Sequence, residues 1–256
     1  CFGDLTKHVF AIETGLSSDP LMNWQISKLD EIALISNSDA HSLPNLGREA
    51  TIFSGEKISY DLIMSALKHG NPKYRAQNRE PETMNLEGTI EFYPHEGRYH
   101  YDGHRECGVV LHPAEADKQK KICLKCKRLL TVGVLSRVNE LADRPEGTRP
   151  EGAPTFHHLV ELDKIIADAL GVKSRASLRV QNIYFNLLKK FDNEITILLD
   201  IPISDLQATE PRLAKAIERV RQERLTIQPG FDGEYGKIEI FNEKERSNQP
   251  KQLTIL

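Results

Sequence analysis

No apolar run in this chain of 256 residues approaches the roughly 20 residues that a membrane helix needs, and the N-terminus lacks the pattern of a signal peptide. A soluble, cytoplasmic protein without a membrane partner is therefore expected. Net positive charge is lacking too, since 34 Lys and Arg stand against 37 Asp and Glu for a net of -3. That argues against a chain coated for nucleic acid, so any DNA contact must come from local patches. The chain has only 4 cysteines, few for a disulfide framework, and the C-x-x-C formed by two of them reads as a reduced metal site. With 39% hydrophobic residues, the chain has enough apolar material to bury a core and divide it among two or three domains.

The most informative stretch is ISNSDAHSLPNLGREA, residues 35–50. It continues an apolar run, Ile32, Ala33, Leu34 and Ile35, that predicts a short buried strand. Asp39 and His41 then fall just past a strand's carboxyl end, where α/β enzymes build their sites. An acid and an imidazole two residues apart are metal-ligand chemistry. The plainer alternative is an Asp39 that caps a turn and a His41 that bonds nearby. Residues 8–13 predict another strand, and Glu13 at its carboxyl end is open to two readings, a turn carboxylate or a metal or substrate contact. Arg48 either holds a phosphate or forms a surface ion pair. Residues 26–30 read as a short helix, and Trp24 just before them as a packing residue. The clearest helix runs from Ser59, its cap, to Gly70, with Tyr60, Ile63, Met64 and Leu67 as a core-facing stripe. Residues 71–87, polar and proline-bearing, read as a linker or surface loop.

Cys107, Cys123 and Cys126 stand as C-x15-C-x2-C, and His104 completes an H-x2-C front half. The spacing favours a structural zinc site, because a C-x2-C turn turns both sulfurs to one ion and the intervening chain can return to close a tetrahedron. His104 is the preferred fourth ligand, with His112 and His100 as substitutes. Six of the eleven residues from 118 to 128 are cationic, among them Lys120, Lys121, Lys125 and Lys127. Arg98 and Arg105 approach from the other side, interleaved with Tyr93, Tyr99 and Tyr101. Basic side chains supply phosphate affinity and aromatics can stack on an unpaired base, so this region is expected to contact DNA.

The last third predicts helices near residues 161–170 and 174–191, the first stopped by Gly171. A strand is predicted at 195–199 and a helix at 211–224 with Leu213, Ile217 and Val220 inward. The run PGFDGEYGKIEIF reads as a glycine-rich turn between strands 225–227 and 237–241, with Asp232 and Glu234 as turn residues. The tail from residue 242 ends in Gln252, Leu253, Thr254, Ile255 and Leu256. It resembles the bacterial sliding-clamp-binding peptide, although the usual final aromatic is replaced by Leu256, so Gln252, Leu253, Ile255 and Leu256 are candidate clamp contacts.

Five ordered segments, AIETGLSSDPLMNW (11–24), SNSDAHSLPNLGREA (36–50), GTIEFYPHEGRYHYDGHREC (88–107), LTVGVLSRVNELADRPEG (130–147) and PGFDGEYGKI (229–238), resemble the polymerase and histidinol phosphatase (PHP) superfamily, and within it the endonuclease Q family. The resemblance implies an α/β chain holding the C-terminal part of a distorted (β/α) barrel, a zinc-binding module and an α+β C-terminal region. The corresponding boundaries are 1–80, 86–150 and 151–241, with a flexible tail over 242–256. It also implies further metal ligands, including a His-x-His pair absent from the nine histidines. With Cys1 where a methionine is expected, the chain reads as a fragment lacking an N-terminal part. The implied function is a metal-dependent DNA-repair endonuclease, using zinc or another divalent metal and cutting beside deaminated bases such as hypoxanthine or uracil. Asp39, His41 and Glu13 would then be catalytic. Another PHP phosphoesterase and a non-catalytic DNA-binding module are the alternatives.

Overall fold

The computed structural model describes residues 2–77, 84–242 and 244–245. The chain forms two compact units, residues 1–157 with 229–237, and residues 158–228 with 238–256. Residues 86–150, expected as a module of their own, thus share a unit with residues 1–80. The glycine-rich loop expected in the C-terminal domain joins that unit as well. The candidate clamp contacts 252–256 lie outside the described residues.

In the first unit β1 (Ala11–Glu13) and β2 (Ala33–Ile35) pair in parallel, with Glu13 opposite Ile35. Strand β1 is shorter than predicted because Gly3–His8 is a 3-10 helix, in which the Thr6 hydroxyl donates to the Gly3 carbonyl at 2.8 Å. Asp19 caps α1 (Pro20–Asn23) by accepting from the Met22 N–H at 2.8 Å, and the chain then delivers Trp24 into the core, edge-on to Phe156. Residues Ser27–Glu31 form a 3-10 turn where a short helix was predicted.

Next come β3 (Ala50–Gly55) and α2 (Tyr60–His69), the latter capped as expected by the Ser59 hydroxyl. Beyond it the structure corrects the linker reading. Residues Pro72–Gln77 are a helix, α3, because Asn71 caps it by accepting the Tyr74 N–H at 2.9 Å and Pro72 suits its first turn. From Met84 the chain is already in β4 (Met84–Glu91), the middle strand of the sheet β3-β4-β7, in which β7 is Thr155–His158. The parallel pairing a barrel requires is seen for β1 with β2, whereas β3 and β4 pair antiparallel.

Strands β5 (Asp102–His104) and β6 (Val109–Leu111) pair antiparallel and lead to α4 (Pro113–Lys118). Helix α5 (Val134–Leu141) follows. Its N-terminus is capped from another element: the fully buried Asp102 carboxylate accepts from the Gly133 N–H at 2.7 Å and from the Ser136 hydroxyl at 2.7 and 2.8 Å. A buried carboxylate is tolerated where donors such as these reach its oxygens.

The second unit is built of α6 (Leu162–Leu170), α7 (Leu178–Phe191), α8 (Glu194–Leu199), α9 (Ile203–Gln207) and α10 (Pro211–Arg221), with a hairpin of β8 (Thr226–Gln228) and β9 (Lys237–Glu239). Gly171 closes α6 in the left-handed conformation, as expected. The strand predicted at 195–199 is instead α8. Asn193 caps it through the Thr196 N–H at 2.9 Å, and Glu194 is held by the Leu162 N–H at 2.8 Å and the Tyr184 hydroxyl at 2.7 Å. Ile197 and Leu198 are buried in this helix, so capping and tertiary burial overrule the β-branched composition. Phe241 lies beneath the guanidinium groups of Arg212 and Arg219, at 4.3 and 4.8 Å from its ring centroid. Among the described residues no helix is long and apolar enough to cross a membrane.

Candidate metal centres and nucleic-acid surface

The parallel register brings Glu13 and the loop after Ile35 to the same end of β1 and β2. Ser36, fully buried, pins that loop to β3: its N–H donates to the Thr51 hydroxyl at 3.0 Å, which donates back to the Ser36 carbonyl at 2.9 Å. Asp39 has φ 44, in the left-handed region where Asp and Asn are the side chains best tolerated. This kink exposes both Asp39 and His41. His41 Nδ1 lies 2.8 Å from the Asp39 carbonyl. With the proton on Nδ1 that contact is a hydrogen bond, and it leaves the Nε2 lone pair outward as a ligand atom. Arg48, proposed for phosphate, donates from Nε to the Ser38 carbonyl at 3.2 Å and so braces the same loop. Glu13 is exposed at the end of β1. The donor chemistry suits a hard or borderline divalent cation. Among the described residues no third His, Cys, Asp or Glu joins Asp39 and His41 in a ligand group.

Behind the loop lies a buried acid seam that sequence reading missed. The Glu91 carboxylate accepts from the Thr14 hydroxyl at 2.8 Å, and the Thr14 N–H donates to the Ile35 carbonyl at 2.9 Å, so β4 is tied to the ends of β1 and β2. Burial, reinforced by the nearby Glu49 and Asp19 charges, raises Glu91 from its ordinary 4.5 to about 8. Burial also raises Glu49 to about 7, with Glu13 adding to the shift. A carboxyl whose folded value exceeds its unfolded one gives stability that is complete below the unfolded value and is lost as pH rises. Above pH 6.5, where the opposing contribution of the buried neutral His100 is complete, the thermal midpoint is therefore expected to fall as pH climbs to about 8, and Glu91→Gln should flatten most of that slope. Glu245, held down to about 2 by Arg219, acts in a separate window, its contribution being lost only as pH falls toward that value. A midpoint that rises across the neutral window in differential scanning calorimetry would contradict the assignment.

The second centre is a knuckle. His104 ends β5, Cys107 ends the 3-10 turn Arg105–Cys107, and Gly108 at φ 57 reverses the chain into β6. Cys123 and Cys126 sit on a tight turn closed by the Lys127 N–H to the Cys123 carbonyl and the Cys123 N–H to the Arg128 carbonyl, both at 2.8 Å. Lys120, Lys121 and Lys127 take positive φ to make it possible. Cys123 and Leu130 pack with Ala116 as the small core beneath, against Cys107, Val109 and Leu111. The ligand atoms of His104, Cys107, Cys123 and Cys126 all lie within 4.8 Å of one another. A tetrahedral ion with sulfur at about 2.3 Å separates its ligands by roughly 3.8 Å, so small side-chain movements would close the site.

The electrostatics fit as well. Backbone N–H groups of Cys126 and Lys125 aimed at Cys123 pull its thiol down to about 6, while burial and the neighbouring sulfurs push Cys107 up to about 11. Three thiols cannot all ionise alone, and a divalent cation removes that conflict. The substitute ligands His112 and His100 stand outside this group. His112 caps α4 by accepting the Ala114 N–H at 3.3 Å, and His100 is buried between His95 and Tyr101, with burial pushing it down to about 3.

The cations around the knuckle differ in what holds them, Arg98 donating from Nε to the Gly233 carbonyl at 2.9 Å and Arg105 pairing with Glu234 at 3.8 Å. Lys121 pairs with Glu140 at 3.1 Å and Asp117 at 3.6 Å, and Lys125 donates to the Cys107 carbonyl at 2.6 Å, so both are engaged in holding the knuckle. Lys120, Lys127, Arg98 and Arg105 are exposed. Of the three interleaved tyrosines, Tyr93 is buried, Tyr101 is half-buried and Tyr99 is exposed. Asp232 is a turn residue, as read from sequence. At φ 43 it accepts from the Arg105 N–H and the Thr131 hydroxyl, each at 2.6 Å.

Comparison with known proteins matches residues 24–72 to a family described as PHP-associated and residues 161–224 to the MJ0043 C-terminal domain family. The chain is 32% identical over 240 residues to the uncharacterized protein MJ0043 of Methanocaldococcus jannaschii, and 28% identical over 230 residues to the uncharacterized protein YqxK of Bacillus subtilis. It spans 28% and 52% of the length of those relatives. Among solved structures, it superposes on the lesion-specific endonuclease PfuEndoQ from Pyrococcus furiosus with TM-score 0.77 and 30% identity, over 93% of this chain and 56% of that one. Endonuclease Q in complex with a 27-mer duplex substrate, an abasic lesion at its active site, gives TM-score 0.73 and 29% identity over 94% and 58%.

Proposed function

We propose, from the premise that this chain is an endonuclease Q-like protein of the PHP superfamily, that it serves in metal-dependent hydrolysis of a DNA phosphodiester beside a deaminated base such as hypoxanthine or uracil. The observation that carries the reading is the likeness to a lesion-specific endonuclease over 93% of the chain, with an exposed Asp39 and His41 on a braced loop at the strand ends.

In this reading Asp39, His41 and Glu13 contribute to holding divalent cations, zinc or another metal. Such cations would neutralise the scissile phosphate and acidify a water. The chain's own residues do the rest. Arg48 and Ser36 fix the loop, so the ligand atoms are preorganised before substrate arrives. The bond from His41 Nδ1 to the Asp39 carbonyl sets the tautomer. The knuckle takes one structural zinc on His104, Cys107, Cys123 and Cys126, and its exposed Lys120, Lys127, Arg98 and Arg105 supply phosphate affinity. A base with weakened pairing is swung out at lower cost, which favours lesion sites. A non-catalytic DNA-binding module is the second reading, favoured by the two-member ligand set among the described residues. The tail residues Gln252, Leu253, Ile255 and Leu256 are proposed to engage a sliding clamp, on the strength of their pattern alone.

The test is equilibrium binding of the chain to labelled duplexes differing only in one hypoxanthine, uracil or abasic position. About tenfold tighter binding to the lesion duplexes is expected, since unpairing contributes a few kcal/mol. Equal affinity for undamaged duplex would remove lesion recognition from this chain.

A further inference from the structure

The glycine-rich loop 229–236 leaves the hairpin β8-β9 and is fastened onto the knuckle's own unit. The Gly230 N–H donates to the His95 carbonyl at 2.8 Å, the Tyr101 N–H to the Gly230 carbonyl at 3.0 Å, the Gly233 N–H to the Arg98 carbonyl at 2.9 Å, and the Gly236 N–H to the Glu96 carbonyl at 3.1 Å. The fit is close enough that a Cβ on Gly230 would stand 2.1 Å from the Gly97 carbonyl oxygen. A loop held this firmly nevertheless leaves its largest side chain out, Tyr235 being 70% exposed. Phe231 anchors the loop by packing its ring over Gly103, but burial does not account for Tyr235.

What surrounds Tyr235 does suggest a use. The Arg98 guanidinium lies 5.1 Å from the ring centroid on one face. Around Gly233, with φ +87, stand Arg105 Nη1, Arg98 Nη2 and the Tyr99 hydroxyl, each within 3.7 Å of where a Cβ would be, and Arg98 is fixed there by its Nε donating to the Gly233 carbonyl at 2.9 Å. Two guanidinium ends and a phenol from exposed residues gathered around one glycine form a donor set for a phosphodiester oxygen. One acid opposes it, Glu234, whose carboxylate is 3.8 Å from Arg105 Nε in an exposed and therefore weak pair. Asp232 is occupied by the Arg105 N–H and Thr131.

We propose that Arg98, Arg105 and the Tyr99 hydroxyl hold one phosphate of the DNA strand while Tyr235 stacks on the adjoining base, forming a nucleotide subsite used where a lesion has interrupted the stack. The inference rests on the DNA-binding reading above and names a surface for it. The polarity suits a nucleotide: a cation on one face of the ring enriches its attraction for a base on the other. Intact duplex offers phosphates but no free base face, so Tyr235 contributes only where stacking is broken.

The test measures binding of the chain and of Tyr235→Ala, Tyr235→Trp and Tyr99→Phe to an intact duplex and to the same duplex with one abasic position. Tyr235→Ala should weaken abasic-duplex binding about tenfold while changing intact-duplex binding less than about twofold, with an unaltered thermal midpoint and salt slope. Tyr235→Trp should preserve the affinity, and its fluorescence should be quenched by the abasic duplex, because Trp24 is buried and silent to DNA. Tyr99→Phe should weaken both duplexes by the same factor. Wild-type binding with Tyr235→Ala unchanged, or weakened equally on both duplexes, overturns the subsite alone. A wild-type chain that binds neither duplex overturns the DNA-binding reading and the subsite with it.

Discussion

Replacing Asp39 or His41 by alanine in the protein is expected to lower incision of a hypoxanthine duplex by at least about a thousandfold. Duplex affinity should stay within about threefold, because the proposed phosphate contacts lie on the knuckle and its loop. Asp39→Asn sharpens the comparison. Asparagine tolerates the left-handed backbone that Asp39 adopts at φ 44, so it removes the charge without adding the strain that alanine brings there. Loss of incision in Asp39→Asn therefore isolates the carboxylate's ligand role. For His41 the expected loss follows from its exposed Nε2, the atom left free when Nδ1 bonds the Asp39 carbonyl. Single-turnover rates on end-labelled duplex measure both effects, and retained incision in both variants would strike the loop from the catalytic machinery.

The second large effect is at the knuckle. Elemental analysis is expected to find one zinc per chain in the unaltered protein and none in Cys123→Ser, which should also unfold the segment around residues 102–133. Binding energy in a small metal module is folding energy, on the order of 10 kcal/mol for structural zinc sites, and the core under this one is only Ala116, Cys123 and Leu130. Hydrogen exchange should show lost protection for the Cys123 and Lys127 amides while α6 and α10 in the other unit keep theirs. His104→Ala should lower zinc affinity severely and His112→Ala should not, since His112 is a helix cap. Full zinc content in Cys123→Ser would refute the ligand set.

The knuckle was legible because its chemistry is local: three cysteines and a histidine at finger-like spacing leave few other geometries. The position of the Asp39 and His41 loop just past a strand's end was legible for a similar reason, as a short apolar run ending at Ile35. Elements settled by distant partners were not. No pattern near residues 134–141 announces that α5 is capped by Asp102 from a strand. The β-branched run at 195–199 gives no hint that Asn193, Tyr184 and Leu162 will impose a helix on it. A cation run reads the same whether its members are free or held, yet Lys121 and Lys125 are engaged while Lys120 and Lys127 are exposed. Glu91 and Glu49 carry no sequence signal at all, since their altered protonation comes from burial that only the folded chain creates.

Incision by the protein tests the central claim most directly. End-labelled duplexes with and without one hypoxanthine are followed before chelation, after removal of metal, and after zinc or another divalent cation is restored, with Asp39→Asn as the control. The account predicts a single cut beside the lesion that disappears with the metal, returns with it, and is absent from undamaged duplex and from the variant. Cleavage that ignores the chelator, or that falls equally on undamaged DNA, would contradict it.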